Sequence, residues 1–431
     1  MSTDEARRTT TIPAPGELPD RYRSDGWAHL SDADLIAAAA GVLNVPRRNP
    51  ADSFVLHAPL ELVARSALLA HVPRQHRDVA RMRILSVAAG VQAWGDPVDK
   101  LPAHLVTADR FDSTAEGARW LGAAIDDGDL DEVDGAAAWL GRAAGPQELR
   151  SLLAGIMVPR LSAAAHGSIF LYQLPRVSPR CPISGELVRS LVREVARFPD
   201  WRIGWVDRAD PTSSSDEQAG TLARLLGAVT DQGRGGSDFI QPTMDRVDGV
   251  AESMLGPLRL GPGSGLHRAI LRTAARSMLQ DRSDAAPYGW SHCLTLPQAV
   301  LGLESALERP ELATRIAATY VLGFRASSGD VEVEVDEVPE DPGVSLDDAL
   351  RAGPHQAAGA MWHSTADRAE LVSTLASRAS AAHDAHLVKY TLACIDAASA
   401  DPAAADLYLS AAAYLCGWWA VHDDPGDPFI G

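Results

Sequence analysis

Cysteine is scarce in this chain of 431 residues: four in all, Cys181, Cys293, Cys394 and Cys416, with no CxxC pair. A disulfide framework or a cysteine-ligated zinc site is therefore not expected, and the thiols read as buried, reduced side chains. Long apolar runs are also missing. The longest, Tyr408–Val421, is interrupted by Ser410 and falls short of the roughly 20 residues a bilayer-spanning helix needs. The amino terminus, MSTDEARRTTT, has no apolar core of the kind a signal peptide carries. Positive charge is in deficit, with 39 Lys and Arg against 57 Asp and Glu and a net charge of −18. Such a chain repels phosphate backbones and anionic lipid, so neither nucleic acid nor membrane is an expected partner. A soluble, cytoplasmic protein is the expectation.

Apolar residues make up 46% of the chain and charged residues 22%, enough to bury a large core. Strand signals are confined to Asp330–Val338, which alternates with period two and reads as a solvated excursion or short edge hairpin. Elsewhere apolar positions recur at three-and-four spacing. Residues 1–25, with Pro13, Pro15 and Pro19, read as an extended arm. Residues 26–431 form the expected all-α domain, a large single-domain multi-helix bundle with long loops. Within it the pattern predicts, among others, helices over 158–174, 291–307, 354–376, 377–398 and 401–421. The last of these, with Trp418 and Trp419, offers either an internal packing face or a homodimer contact.

Catalytic signatures are mostly absent. There is no GxxxxGK[ST], and the cluster Gly261-Pro-Gly-Ser-Gly265 lacks both the GxGxxG spacing and a preceding strand. Gly289-Trp-Ser291-His-Cys293 is not a nucleophile elbow. HExxH and the Glu-x-x-His pairs of di-iron bundles do not occur. A mononuclear metal held by side chains from several helices is one of the few routes to chemistry left open.

Thirteen histidines are present. Eight sit near helix ends, loops or polar patches, His383 lies beside His386, and four lie within apolar helical stretches: His57, His166, His292 and His386. One buried histidine is ordinarily a hydrogen-bonded core residue. Four, each on a different helix, make a candidate ligand set, because imidazole is the commonest nitrogen ligand of iron, zinc and copper. His383, His386 and Lys389 fall at i, i+3 and i+6, on one broad helix face. Lys389 lies between Val388 and Tyr390 in an apolar run. It either extends its amine to solvent or is desolvated with a depressed pKa. A neutral amine adds carbon dioxide to give a carbamate, an anionic oxygen ligand that would offset the charge of a buried divalent metal. Glu61 and Asp384 are the nearest carboxylates and would orient ligand rings from behind.

The His57 helix, the His166-Gly-x-Ile-x-Leu segment, the His292-Cys-x-Thr segment, the His386-x-x-Lys389-Tyr-Thr helix and the closing Tyr408–Trp419 helix together resemble the questin oxidase-like family, over about residues 50–420. The resemblance implies an all-helical, mononuclear non-haem iron oxygenase that opens a ring of a polycyclic, anthraquinone-like polyketide with dioxygen. It also implies Fe(II) held by His57, His166, His292, His386 and a carboxylated Lys389, with His383 in reserve. Phe170 stands where that family's segment carries a second histidine, and Leu174 where it carries a glutamate, so the substrate is not carried over. Phe170, Tyr172, Trp290, Trp362 and Tyr390 lie near the ligand positions in sequence and are the expected lining of an aromatic pocket. No nucleotide motif supports a resident nicotinamide, so NADPH, as a source of electrons, would act transiently or through a partner. Two other readings stand beside this one: a metal-dependent hydrolase using the same centre, and a non-catalytic helical scaffold.

Overall fold

The computed structural model describes residues 12–44, 54–93, 107–161, 165–177, 187–199, 202–208, 216–231, 250–281 and 287–422. Among these the architecture is all-α. No strand occurs, and the sole β-type pairing is an isolated bridge between Arg160 and Arg202. No described helix is long and apolar enough to cross a membrane.

Helix starts follow capping chemistry. Ser31, Ser113, Asp129, Ser345, Asp367 and Asp384 each accept a hydrogen bond from a backbone N–H two or three residues on, satisfying donors that a helix start leaves without partners. Gly128, at φ 68°, closes the helix Thr114–Asp127 in the left-handed conformation that glycine tolerates.

Four helices frame the candidate site: Phe54–Leu68, His166–Val177, Tyr288–Gly302 and Ala385–Ala400. The first packs against the second and fourth, and the third packs against the same two. The result is a closed square of helices whose inward faces meet. Tyr288–Gly302 and Ala385–Ala400 are apolar around nearly their whole circumference, as expected for helices surrounded by others.

Several expected boundaries move. Part of the supposed arm is ordered on the domain: Leu18–Ser24 is helical and buries Leu18 and Tyr22. The helix expected over 158–174 begins only at His166. Pro159 interrupts the pattern, and Ala165 (φ 57°) turns the chain through a region that residues bearing a Cβ seldom enter. The helices expected over 354–376 and 377–398 are instead Pro354–Trp362, Arg368–Ala381 and Ala385–Ala400. Asp367 and Asp384 cap new starts where the periodicity alone ran through. The segment 330–338 is irregular, with Val331, Val335 and Val338 exposed. The helix Ala405–His422 is internal, packed on Pro354–Trp362, Ala385–Ala400 and Ser264–Gln280. Its Trp418 is buried within the chain, which removes that ring as support for a dimer contact.

Candidate metal centre

The four singled-out histidines and Lys389 meet at the centre of the helix square. His166 Nε2 lies 3.0 Å from His57 Nε2, 3.3 Å from His292 Nε2 and 3.4 Å from Lys389 Nζ. The His386 ring stands 5.2 Å from that of His57 and 5.0 Å from that of His292, edge to face in both cases. His166, His292 and Lys389 are buried at 1%, 2% and 2% exposure.

Two of the rings have fixed tautomers. His292 Nδ1 is 2.8 Å from the carbonyl of Tyr288, one helical turn back. A carbonyl only accepts, so Nδ1 carries the proton and Nε2 presents a lone pair. His386 Nδ1 faces Asp384 Oδ2 at 3.4 Å, which likewise places the proton on Nδ1 and turns the other nitrogen inward. A histidine whose outer nitrogen donates to a carboxylate or carbonyl is the usual arrangement behind a metal-bound ring.

Burial first, and the charge of Lys389 or neighbouring histidines second, hold His57, His292 and His386 well below the ordinary imidazole range. They are neutral at pH 7, the form that binds metal. Burial lowers the Lys389 amine from the ordinary 10.5 to about 8, against the pull of Asp384 and Glu61. The amine is thus desolvated and does not extend to solvent.

The groups behind the cluster are arranged around Lys389 and His386. Asp384 is the N-cap of their helix, its Oδ1 accepting from the Leu387 N–H at 2.8 Å, while its other oxygen faces His386. Glu61, one turn after His57, is bonded to Arg65, whose Nε donates to Glu61 Oε1 at 2.7 Å. The Arg65 guanidinium, itself buried, also donates to the carbonyls of Ser380, Ala382 and His383. Arg83 donates to the carbonyl of Ala381 at 2.6 Å. Together the two arginines cap the carboxyl end of Arg368–Ala381 and set the turn from which the Lys389 helix starts.

Three of the nitrogen spacings are ones that a shared metal ion would allow. Two nitrogens bound to one metal at about 2.0–2.1 Å lie about 2.9 Å apart across a right angle and about 3.4 Å apart across a tetrahedral one. The three spacings about His166 Nε2 fall in that range. Among the described residues no group of three or more His, Cys, Asp and Glu side chains is arranged so that it could hold a metal ion by itself. The cluster differs from such a group in including a lysine and in converging on one ring nitrogen. His292 Nε2 presents a lone pair towards His166 Nε2, and Lys389 Nζ lies beside them as a donor in the metal-free protein.

The remaining sequence expectations fare less evenly. His383 is exposed in the turn before the Lys389 helix, so the helical spacing that grouped it with His386 does not exist and it is no reserve ligand. Phe170 is buried one turn after His166, on the same face. Trp290, two residues from His292 and so on the opposite face, lies under the Arg325 guanidinium at 5.6 Å. Tyr172 lies between Arg150 and Arg176, at 5.6 and 5.5 Å. Tyr390 is buried beside Cys394, and Trp362 ends the helix Pro354–Trp362 against the core. None of these four rings has an aromatic contact with the imidazoles. The aromatic residue that does is Tyr288, absent from the sequence-based set. Its ring is 4.5 Å from His386 and 6.1 Å from Trp419. Burial first, then the charge of Asp384 and the hydrogen bond the hydroxyl donates to it, raises its pKa to about 12. Its position four residues before His292 was the available signal. Cys293, Cys394 and Cys416 are buried free thiols kept protonated by burial. Cys181 and His104 lie outside the described residues.

No protein-family model, no curated protein and no solved structure matches the chain.

Proposed function

We propose that this chain is a mononuclear non-haem iron oxygenase, similar in its centre to the questin oxidase-like family, acting on a polycyclic aromatic substrate such as an anthraquinone-like polyketide. The observation that carries the reading is the convergence of imidazole and amine nitrogens about His166 in a buried space, with Nδ1 of His292 and of His386 hydrogen-bonded behind them. Iron(II) bound there would supply the activation of dioxygen that side chains alone do not provide.

His57, His166, His292 and His386 would hold the ion, with Tyr288 O and Asp384 keeping two of the rings in the metal-binding tautomer. Lys389 is the residue suited to carbamate formation. Its neutral amine attacks carbon dioxide, an N–C bond forms, one proton leaves, and an anionic oxygen donor remains. A carbamate would also offset part of the positive charge that a divalent ion brings into the buried site. Buried charge is costly unless compensated in this way.

Tyr288, which adjoins His386, and Trp419, which adjoins Tyr288, are both only partly buried and are the rings best placed to stack on a planar substrate. Five protein donors exceed the three that catalytic zinc usually keeps, which disfavours the hydrolase reading. The test is oxygen uptake by protein purified anaerobically and reloaded with ferrous iron, across polycyclic phenols and quinones. Substrate-dependent uptake with a ring-opened product is expected. A fully iron-loaded protein that consumes no oxygen with any of them contradicts the oxygenase reading.

A further inference from the structure

A second site candidate lies away from the histidines. A cavity of about 620 Å³ opens between the helices Ala219–Ala228 and Ser264–Gln280, a size typical of small-molecule sites. Four guanidiniums line it, Arg224 from the first helix and Arg268, Arg272 and Arg276 from the second, against a single carboxylate, Glu332. The last three arginines fall at i, i+4 and i+8, so they share one helix face and repel one another. Asp401 engages Arg272 in a bidentate pair at 2.7 and 2.8 Å. Arg224, Arg268 and Arg276 have no ion-pair partner within 4.0 Å among the described residues. Asp401 acts on Arg268, and Asp336 on Arg276, only at longer range. Arginine does not relieve such crowding by losing its proton. In a chain with a net charge of −18, this concentration of positive charge goes against the overall composition.

One wall of the cavity is fixed by specific bonds. This third wall is the valine-alternating segment that sequence periodicity had singled out. Gln280 clasps the Glu334 backbone in both directions, donating to its carbonyl at 2.7 Å and accepting from its N–H at 2.9 Å. The Val333 N–H donates to the carbonyl of Gly227 at 2.9 Å. Both helices thus fix the segment, while Val333 and Val335 add apolar surface to the arginine wall.

We infer that this cavity binds a small organic anion whose phosphoryl or carboxylate oxygens pair with Arg224, Arg268 and Arg276. Guanidinium forks match such oxygens bidentately. None of the lining residues belongs to the histidine cluster, so the inference stands independently of the metal reading.

Isothermal titration of the full chain with inorganic pyrophosphate, and separately with citrate, at constant ionic strength tests it. Saturable one-to-one binding is expected, weakened about a hundredfold or more in the double variant Arg268→Gln/Arg276→Gln, since each lost charged hydrogen bond accounts for about tenfold. Arg224 and Arg268 are themselves exposed, and the same charge loss at two exposed arginines outside the cavity, Arg74 and Arg119, should leave binding unchanged. Binding of pyrophosphate alone assigns the site to phosphoryl groups, and binding of citrate alone assigns it to carboxylates. Absence of binding by both, or binding that survives the double substitution in a protein folded by circular dichroism, overturns the inference.

Discussion

Replacing Lys389 with methionine should stabilise the metal-free protein. The lysine is buried at 2% exposure, and its amine falls from the ordinary 10.5 to about 8 because burial penalises the charged form. At about 1.4 kcal/mol per pKa unit, keeping it protonated in the folded state costs about 3 kcal/mol. The sign follows from proton counts. Between pH 8 and 10.5 the unfolded chain binds more protons at this residue than the folded one, so stability rises with pH across that window. Below pH 8 the full cost is present; above 10.5 it is gone. Methionine has a similar unbranched shape and no charge to desolvate. Lys389→Met should therefore gain about 3 kcal/mol at pH 7, or about 3 °C in thermal midpoint for a chain of this length, with the gain shrinking towards pH 10. Urea denaturation of the metal-free pair at pH 7, 8, 9 and 10, in buffers stripped of carbon dioxide, measures it. A variant that is destabilised, or a difference that does not change with pH, refutes the assignment of Lys389 as a desolvated amine retained for function.

Asp384→Asn keeps the helix cap, for which asparagine serves as well as aspartate. It removes the carboxylate behind His386, so chelator competition should show metal affinity falling about 10–100-fold, while the metal-free protein loses the counter-charge that Asp384 gives Lys389. Asp384→Ala should add about 1 kcal/mol of destabilisation from the lost cap. Arg65→Met strands Glu61 and three carbonyls, and should cost about 3–5 kcal/mol in denaturant titration. Ala165→Gly relieves a left-handed residue and should gain up to about 1 kcal/mol while leaving metal content unchanged. Gly417→Ala places a Cβ 2.6 Å from the carbonyl oxygen of Gly353 and 2.8 Å from Ala357 Cβ. Pushing apart Pro354–Trp362 and Ala405–His422 in this way should cost about 1–3 kcal/mol.

The helical class and the five converging groups were legible because polar side chains in apolar helical runs mark buried polar sites, and His57, His166, His292, His386 and Lys389 all sit in such runs. The supports were not. Arg65 reaches from 54–68 to carbonyls at 380–383, a long-range relation with no local periodicity. The turn at 382–384 was hidden because Ala, Ser and His around it also suit a helix, and only the cap geometry of Asp384 separates the two elements. That one boundary made His383 look like a partner of His386. The aromatic lining was misread for a related reason. Proximity in sequence does not give direction around a helix, so Trp290 faces Arg325 while Tyr288, four residues before His292, reaches His386.

The central claim is that these five side chains hold a metal. Elemental analysis of anaerobically purified protein, wild type beside Lys389→Ala and His386→Ala, tests it most directly. About one iron per chain in the wild type, lost in both variants while they remain folded, is the expected result. Folded wild-type protein that neither contains metal nor takes up ferrous iron in the presence of bicarbonate would contradict it, leaving the cluster as the interior of a helical scaffold.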